Sequence, residues 1–209
     1  MVKSANKRDM HNIIFDLGGV LIDWRPHAIL ERLYPNDPAL RTRIMRDAIK
    51  HPDWARLDTG ELSEPQAAAR FARRTGLPPS AFLTLFDTVR LMLTPVPGTL
   101  RILQDLHSRG AHCFCLSNIP ESNYTHLRKH YPFFRLFSGI TVSYKLGIGK
   151  PDLKIFKYTL DTFRLDPAHT VFIDDSARNT GAAQRLGMRT ILFHYPGQCR
   201  AALAAMGAL

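Results

Sequence analysis

Val171-Phe172-Ile173-Asp174-Asp175 sets three large apolar residues directly before two carboxylates. A run that is apolar on both faces suits a parallel strand covered by helices on each side. Four further runs at residues 11–15, 111–116, 140–142 and 190–193 read the same way, and residues 170–173 carry the strand of the quoted stretch. Helical patterns lie between them. Residues 99–108 place Leu100, Leu103 and Leu106 on one side, and residues 152–163 space Ile155, Phe156, Leu160 and Phe163 by helical turns. Strand and helix alternate, which predicts an α/β, doubly wound, mostly parallel Rossmann-like sheet.

Residues 24–94 break that alternation. Residues 26–33, 38–50, 64–75 and 79–93 read as helices, with Ser63 and Gln66 spaced as a capping box and Gly76 placed as a helix stop. The turn-rich Thr94-Pro95-Val96-Pro97-Gly98 then precedes the return of strands. The expected organisation is a core of residues 1–23 and 95–209 with an inserted α-helical cap at residues 24–94.

At 209 residues, with 45% hydrophobic and 22% charged side chains, the chain has a globular composition that excludes a disordered or collagenous protein. No apolar run approaches the ~20 residues of a membrane span, and residues 1–10 read as a frayed basic tail without the apolar middle of a signal peptide. Cys113 and Cys115, two apart in a strand, share a face and show no partner for Cys199, so a reducing, cytoplasmic setting is expected. The net charge of +10 is dispersed, with +7 of it after residue 94 and no block of five like charges. No nucleic-acid-binding signature accompanies it, so a basic surface that draws small anions is the reading adopted.

In open α/β sheets the ligand crevice lies outside the carboxyl ends of the strands. Asp16 follows Ile13-Ile14-Phe15 and precedes Leu17-Gly18-Gly19, where exposed backbone N–H groups could hold a phosphate beside a nucleophilic carboxylate; an ordinary turn would use the same residues. Ser117-Asn118 follows another strand and reads either as a helix cap or as an anion site. Lys150 lies in Gly147-Ile148-Gly149-Lys150-Pro151-Asp152, which is no P-loop because Tyr144 and Pro151 occupy the required glycine and Ser/Thr positions. It could sit on the surface or neutralise a phosphate. The adjacent Asp174 and Asp175 repel each other unless solvated or neutralised by a cation such as Mg²⁺, which takes few protein carboxylates; one more from Asp16 would complete such a site.

These features fall in order, 101, 33 and 24 residues apart, each before a helix. At this point the chain resembles the haloacid dehalogenase-like hydrolase superfamily over nearly its whole length. Phe15-Asp16-Leu17-Gly18-Gly19-Val20-Leu21 is similar to its first motif, Leu116-Ser117-Asn118 to its second, Gly149-Lys150-Pro151-Asp152 to its third and Phe172-Ile173-Asp174-Asp175-Ser176 to its fourth. The resemblance implies that Asp16 is the nucleophile of an aspartyl-phosphate pathway. It implies that Leu17, Gly18, Ser117 and Asn118 hold the phosphoryl oxygens and that Lys150 neutralises charge. It further implies that Mg²⁺ sits among Asp16, the Gly18 carbonyl and Asp175, with Asp174 farther out or reaching metal-bound water. A small phosphorylated metabolite, a sugar phosphate or similar compound, is the implied substrate.

Gly18 departs from the pattern, because most phosphatases of the superfamily carry a second Asp there as general acid and base. Asp23 or a residue of the inserted helices could supply that proton. Two other readings stay open. One is a 2-haloacid dehalogenase, a branch that also lacks the second Asp but carries an aromatic residue at the Gly18 position and small polar residues where Asp174 and Asp175 stand. The other is a non-catalytic relative that binds a protein or small anion. His126 and His130 read as a solvated helix face, Cys113 as strand filler, and Trp24, Trp54, Phe82 and Phe86 as helix packing that could also line a pocket.

Overall fold

The computed structural model describes residues 12–209; His11 of the first expected strand and the basic start lie outside them. Strands β1 (Asn12–Phe15), β2 (His112–Ser117), β3 (Gly139–Val142), β4 (Thr170–Asp174) and β5 (Arg189–Leu192) form one sheet in the order β3-β2-β1-β4-β5. Every pairing is parallel, as the apolar runs predicted.

Alternation along the strands divides the core. Ile13, Phe15, Cys113, Cys115, Val171 and Ile173 face one side, whereas Ile14, Phe114, Leu116 and Phe172 face the other. Helices α9 (Leu153–Phe163) and α10 (Ala177–Gln184) cover the second face with Ile155, Phe156, Ala182 and Ala183. The first face is covered by α6 (Pro97–Ser108) and α11 (Pro196–Ala205), and its apolar cluster continues into residues 26–92. Both faces are sealed, which is why the middles of β1, β2 and β4 are wholly apolar and their polar residues sit at the strand ends.

Between β1 and α6 the described residues form helices alone: α1 (Pro26–Leu33), α2 (Pro38–Ile44), a π-helical turn at Met45–Ile49, α3 (Pro52–Asp58), α4 (Glu64–Thr75) and α5 (Pro79–Met92). The helix expected over residues 38–50 is therefore two pieces. Helix α3, which has no counterpart in the sequence reading, starts with Pro52 at its first turn and His51 Nδ1 accepting from the Asp53 amide (3.1 Å). The chain leaves and rejoins the sheet at one place. Asp23 N donates to Thr94 O and Val96 N to Leu21 O, each at 2.8 Å, so the two connecting segments run antiparallel side by side.

Candidate active site

Sheet order explains the convergence of the sequence motifs. From the central β1 the chain builds outward through β2 and β3, then returns to place β4 on the other side of β1. The carboxyl ends of β1 and β4 thus flank the switch point where crevices form in such sheets. Asp16 continues the ladder by donating its amide to Ile173 O (2.9 Å), which sets its carboxylate beside the last residues of β4.

Lys150 holds the centre. It is buried, with Nζ 2.8 Å from Asp16 Oδ1 and 2.6 Å from Asp174 Oδ2, and it donates to Leu116 O at 3.0 Å. Asn118 fixes its backbone: Nδ2 donates to Lys150 O (2.9 Å) while Oδ1 accepts from Lys150 N (2.8 Å). A side chain on Gly149 would come within 3.1 Å of that amide, so glycine permits the clamp. The Asn118 side chain is therefore a positioning group, leaving the Ser117 hydroxyl, which has no partner among the described residues, at the crevice wall. Neither residue caps the next helix, α7 (Glu121–His130), whose N-cap is Pro120.

The carboxylates differ in freedom. Asp174 is fully buried and engaged on both oxygens, with Oδ1 accepting from Ser176 N (2.8 Å) and Asn179 Nδ2 (3.0 Å) and Oδ2 from Lys150. Asp175 is exposed, and its carboxylate lies against Gly19, where a Cβ would fall 2.2 Å from Oδ2. Leu17 N donates to Asp16 Oδ1 (2.7 Å) and so orients the carboxylate, while no hydrogen bond among the described residues engages the Gly18 carbonyl. Each of Asp16, Asp174 and Asp175 offers one oxygen within 4.8 Å of the others.

Burial pushes the Asp16 carboxyl up to about 8, with Lys150 opposing the rise and Asp174 and Asp175 adding to it. Burial, then Asp174, also raises Asp175. Burial works against the Lys150 ammonium, but Asp16 and Asp174 outweigh it and hold its value above the ordinary one. Three carboxylates face one ammonium, so the cluster lacks positive charge. All-oxygen donors with one exposed carboxylate suit a hydrated divalent cation such as Mg²⁺, and Asp16, Asp175 and the Gly18 carbonyl would hold it.

A cavity of about 220 Å³ opens above Asp16, walled by Ile22, Trp24, Ile49, Trp54, Leu93 and Leu127 as well as the polar residues named. Trp24 and Trp54 line it, whereas Phe82 and Phe86 are buried in helix packing instead. Asp23 does not line it and pairs with Arg25 (2.7 Å). Two polar lining residues escaped the sequence reading: Asp58, at the end of α3, and Asn123, whose buried Oδ1 has no partner among the described residues. The His126 and His130 rings lie 4.2 Å apart, tilted by 31°, and join no acidic or cysteine cluster among the described residues. Burial pushes the Cys113 thiol up to about 12, so it is inert filler.

A family model described as haloacid dehalogenase-like hydrolase matches residues 10–187. The sesquiterpene phosphatase astK of Aspergillus oryzae is 29% identical over 175 residues, covering 84% of this chain and 85% of that protein. A HAD family enzyme of Bacteroides thetaiotaomicron, solved as an aspartate-to-alanine mutant in complex with magnesium and inorganic phosphate, is 21% identical with a TM-score of 0.69 over 87% of this chain and 93% of its own. The L-2-haloacid dehalogenase of Xanthobacter autotrophicus with chloropropionic acid covalently bound is 16% identical with a TM-score of 0.67, over 96% of this chain and 84% of its own. These two likenesses are likenesses of fold.

Proposed function

The chain belongs to the haloacid dehalogenase-like hydrolases, and on that premise we propose that it is a magnesium-dependent phosphatase acting through an aspartyl-phosphate. One observation carries the reading: Asp16, Asp174 and Asp175 crowd around a single buried lysine, a donor set short of positive charge. A haloacid needs no such cluster, because halide leaves without a proton or a metal.

Asp16 is the nucleophile, oriented by the Leu17 amide and by Lys150. The Gly18 and Asn118 amides and the Ser117 hydroxyl receive the phosphoryl oxygens, and Lys150 offsets charge shared by Asp16 and the phosphate. Asp174 holds Lys150 in place and Asn179 holds Asp174. Asp16, Asp175 and the Gly18 carbonyl would hold Mg²⁺, which would supply further charge neutralisation there. The helices of residues 24–94 act as a cap that excludes water and selects the leaving group.

Cavity chemistry also bears on the substrate. The Aspergillus oryzae relative is named a sesquiterpene phosphatase, and the walls here are dominated by tryptophan and aliphatic side chains rather than by groups that would pair with sugar hydroxyls. The proposed substrate is a small phosphate monoester with an apolar body, a narrower class than the sugar phosphate or similar compound that the resemblance implied.

Phosphate release from an n-alkyl phosphate series with Mg²⁺ tests both points. The expected results are loss of turnover with EDTA or with Asp16→Asn, and kcat/KM rising about fourfold per methylene until the cavity is full, from ~0.8 kcal/mol per buried CH₂. Halide release from a 2-haloacid, insensitive to EDTA, would overturn the phosphatase reading.

A further inference from the structure

Gly18 leaves the leaving group without a proton donor at the position where most of the family's phosphatases carry one. Among the described residues, only two that line the cavity above Asp16 are titratable: Asp16 itself and Asp58. We propose, resting on the phosphatase reading, that Asp58 is the general acid and base of the reaction, supplied by the helical insert instead of by the loop after β1.

Three observations beyond the lining support it. The Asp58 carboxyl is half-buried and takes part in no hydrogen bond or ion pair among the described residues, so nothing in the fold consumes it. Its backbone, by contrast, is tied down. The buried Ser143 Oγ, at the start of the short helix α8 (Ser143–Leu146), donates to Asp58 O (2.5 Å) and accepts from Ile119 N (2.9 Å), which links the end of α3 to the core. Gly60 completes the seam, since a Cβ there would lie 3.0 Å from Tyr144 O. Last, burial raises the Asp58 carboxyl to about 8, with the Lys150 charge opposing the rise, so the group is largely protonated at neutral pH and ready to give a proton.

Proton and bonds balance over the cycle. An Asp16 oxygen attacks phosphorus as the phosphorus–oxygen bond to the leaving group breaks, and the departing alkoxide takes the Asp58 proton and leaves as alcohol. Water then attacks the aspartyl-phosphate and gives its proton to the Asp58 carboxylate. The bond from phosphorus to Asp16 breaks, which frees inorganic phosphate and restores both residues.

The test compares kcat/KM of wild type and Asp58→Asn on hexyl phosphate and on p-nitrophenyl phosphate, both with Mg²⁺. That ratio reports only the steps through leaving-group departure, and nitrophenolate leaves without needing a proton. The expected result is a loss of about 10²–10⁴-fold on hexyl phosphate with no more than a few-fold loss on the nitrophenyl ester, while Asp58→Glu restores part of the alkyl rate. A structural role for Asp58 moves both substrates together, and equal losses, or no loss on either, would overturn the assignment. Should Asp58→Asn fold poorly, Asp58→Ser provides the same comparison. Failure of the wild type to release phosphate from either ester sinks the phosphatase reading itself and the Asp58 assignment with it, whereas nitrophenyl turnover retained by the variant upholds the reading.

Discussion

Among the described residues the Asp175 carboxylate has no hydrogen-bonded partner beyond its own amide; it is placed by what it rests against. Gly19 has φ +77°, a region that glycine enters without steric cost, and its bare Cα leaves the space that the Asp175 carboxylate fills. Gly19→Ala adds a strained φ and a Cβ 2.2 Å from Oδ2, so the carboxylate must swing away while the buried Asp174 stays put. The expected outcome is a rise of about 10–100-fold in the Mg²⁺ concentration for half-maximal activity, the size seen when groups that orient metal ligands are lost. A magnesium titration of phosphate release checks it; an unchanged midpoint would mean that Asp175 does not hold the ion. At this scale the sequence is informative where a residue's role follows from its place at a strand end. Asp16, Ser117, Asp174 and Asp175 all have that signature, whereas Lys150 sits in a loop eight residues past β3 and is legible only from its order among them. Asp58 and Asn123 do not, because their relation to the crevice exists only after helices far apart in sequence have packed.

Long elements with strong end signals were legible. Helix α4 was bounded from Ser63, Gln66 and Gly76, and its capping box forms through Ser63 N to Gln66 Oε1 (2.9 Å) and Gln66 N to Ser63 Oγ (3.4 Å), with Gly76 left-handed at φ 73°. Helix α3 was not, since seven residues between Pro52 and Gly60 give too few turns for periodicity to rise above turn composition. Tertiary contacts set it instead. Asp53, buried in its first turn, accepts from Arg74 Nη1 (2.7 Å) and Arg56 Nη1 (3.0 Å). Burial favours its protonation, but Arg74 and Arg56 outweigh this and hold the carboxyl below its ordinary value. A lowered folded value means the stability it adds is present above the usual carboxylate range and is lost as pH falls through the lowered value. Asp53→Ala therefore costs about 1.5–3 kcal/mol at neutral pH, the scale of a charge-assisted hydrogen bond, and the deficit closes in acid. Urea denaturation of both proteins at neutral and acidic pH measures it. Because α3 ends at Asp58, the same variant also lowers turnover.

At the scale of the whole molecule, the fold places its carboxylates where they oppose its own stability. The order β3-β2-β1-β4-β5 brings Asp16, Asp174 and Asp175 to one point, and Lys150 supplies a single compensating charge. The dispersed net charge of +10 does not remove this local shortage, because surface Arg and Lys act through water and are screened beyond ~10 Å. The sign follows from the raised values. Asp16 moves from 3.8 to about 8 on folding, so between those limits the folded chain binds more protons than the unfolded one, and stability falls as pH climbs through that window. A divalent cation bound by the folded state alone reverses the trend. At a hundredfold excess over its dissociation constant it adds ~2.7 kcal/mol, which for a chain of this length raises Tm by about 5–10 °C. Thermal melts with Mg²⁺ and with EDTA should therefore diverge as pH rises from 5 to about 8, where the metal-free protein loses most. Asp175→Asn should melt alike in both, since the exposed carboxylate is the ligand that the fold leaves free for the ion. A wild-type protein whose melting temperature ignores Mg²⁺ across that range would show that Lys150 neutralises the cluster unaided, and the metal-dependent mechanism would fall with it.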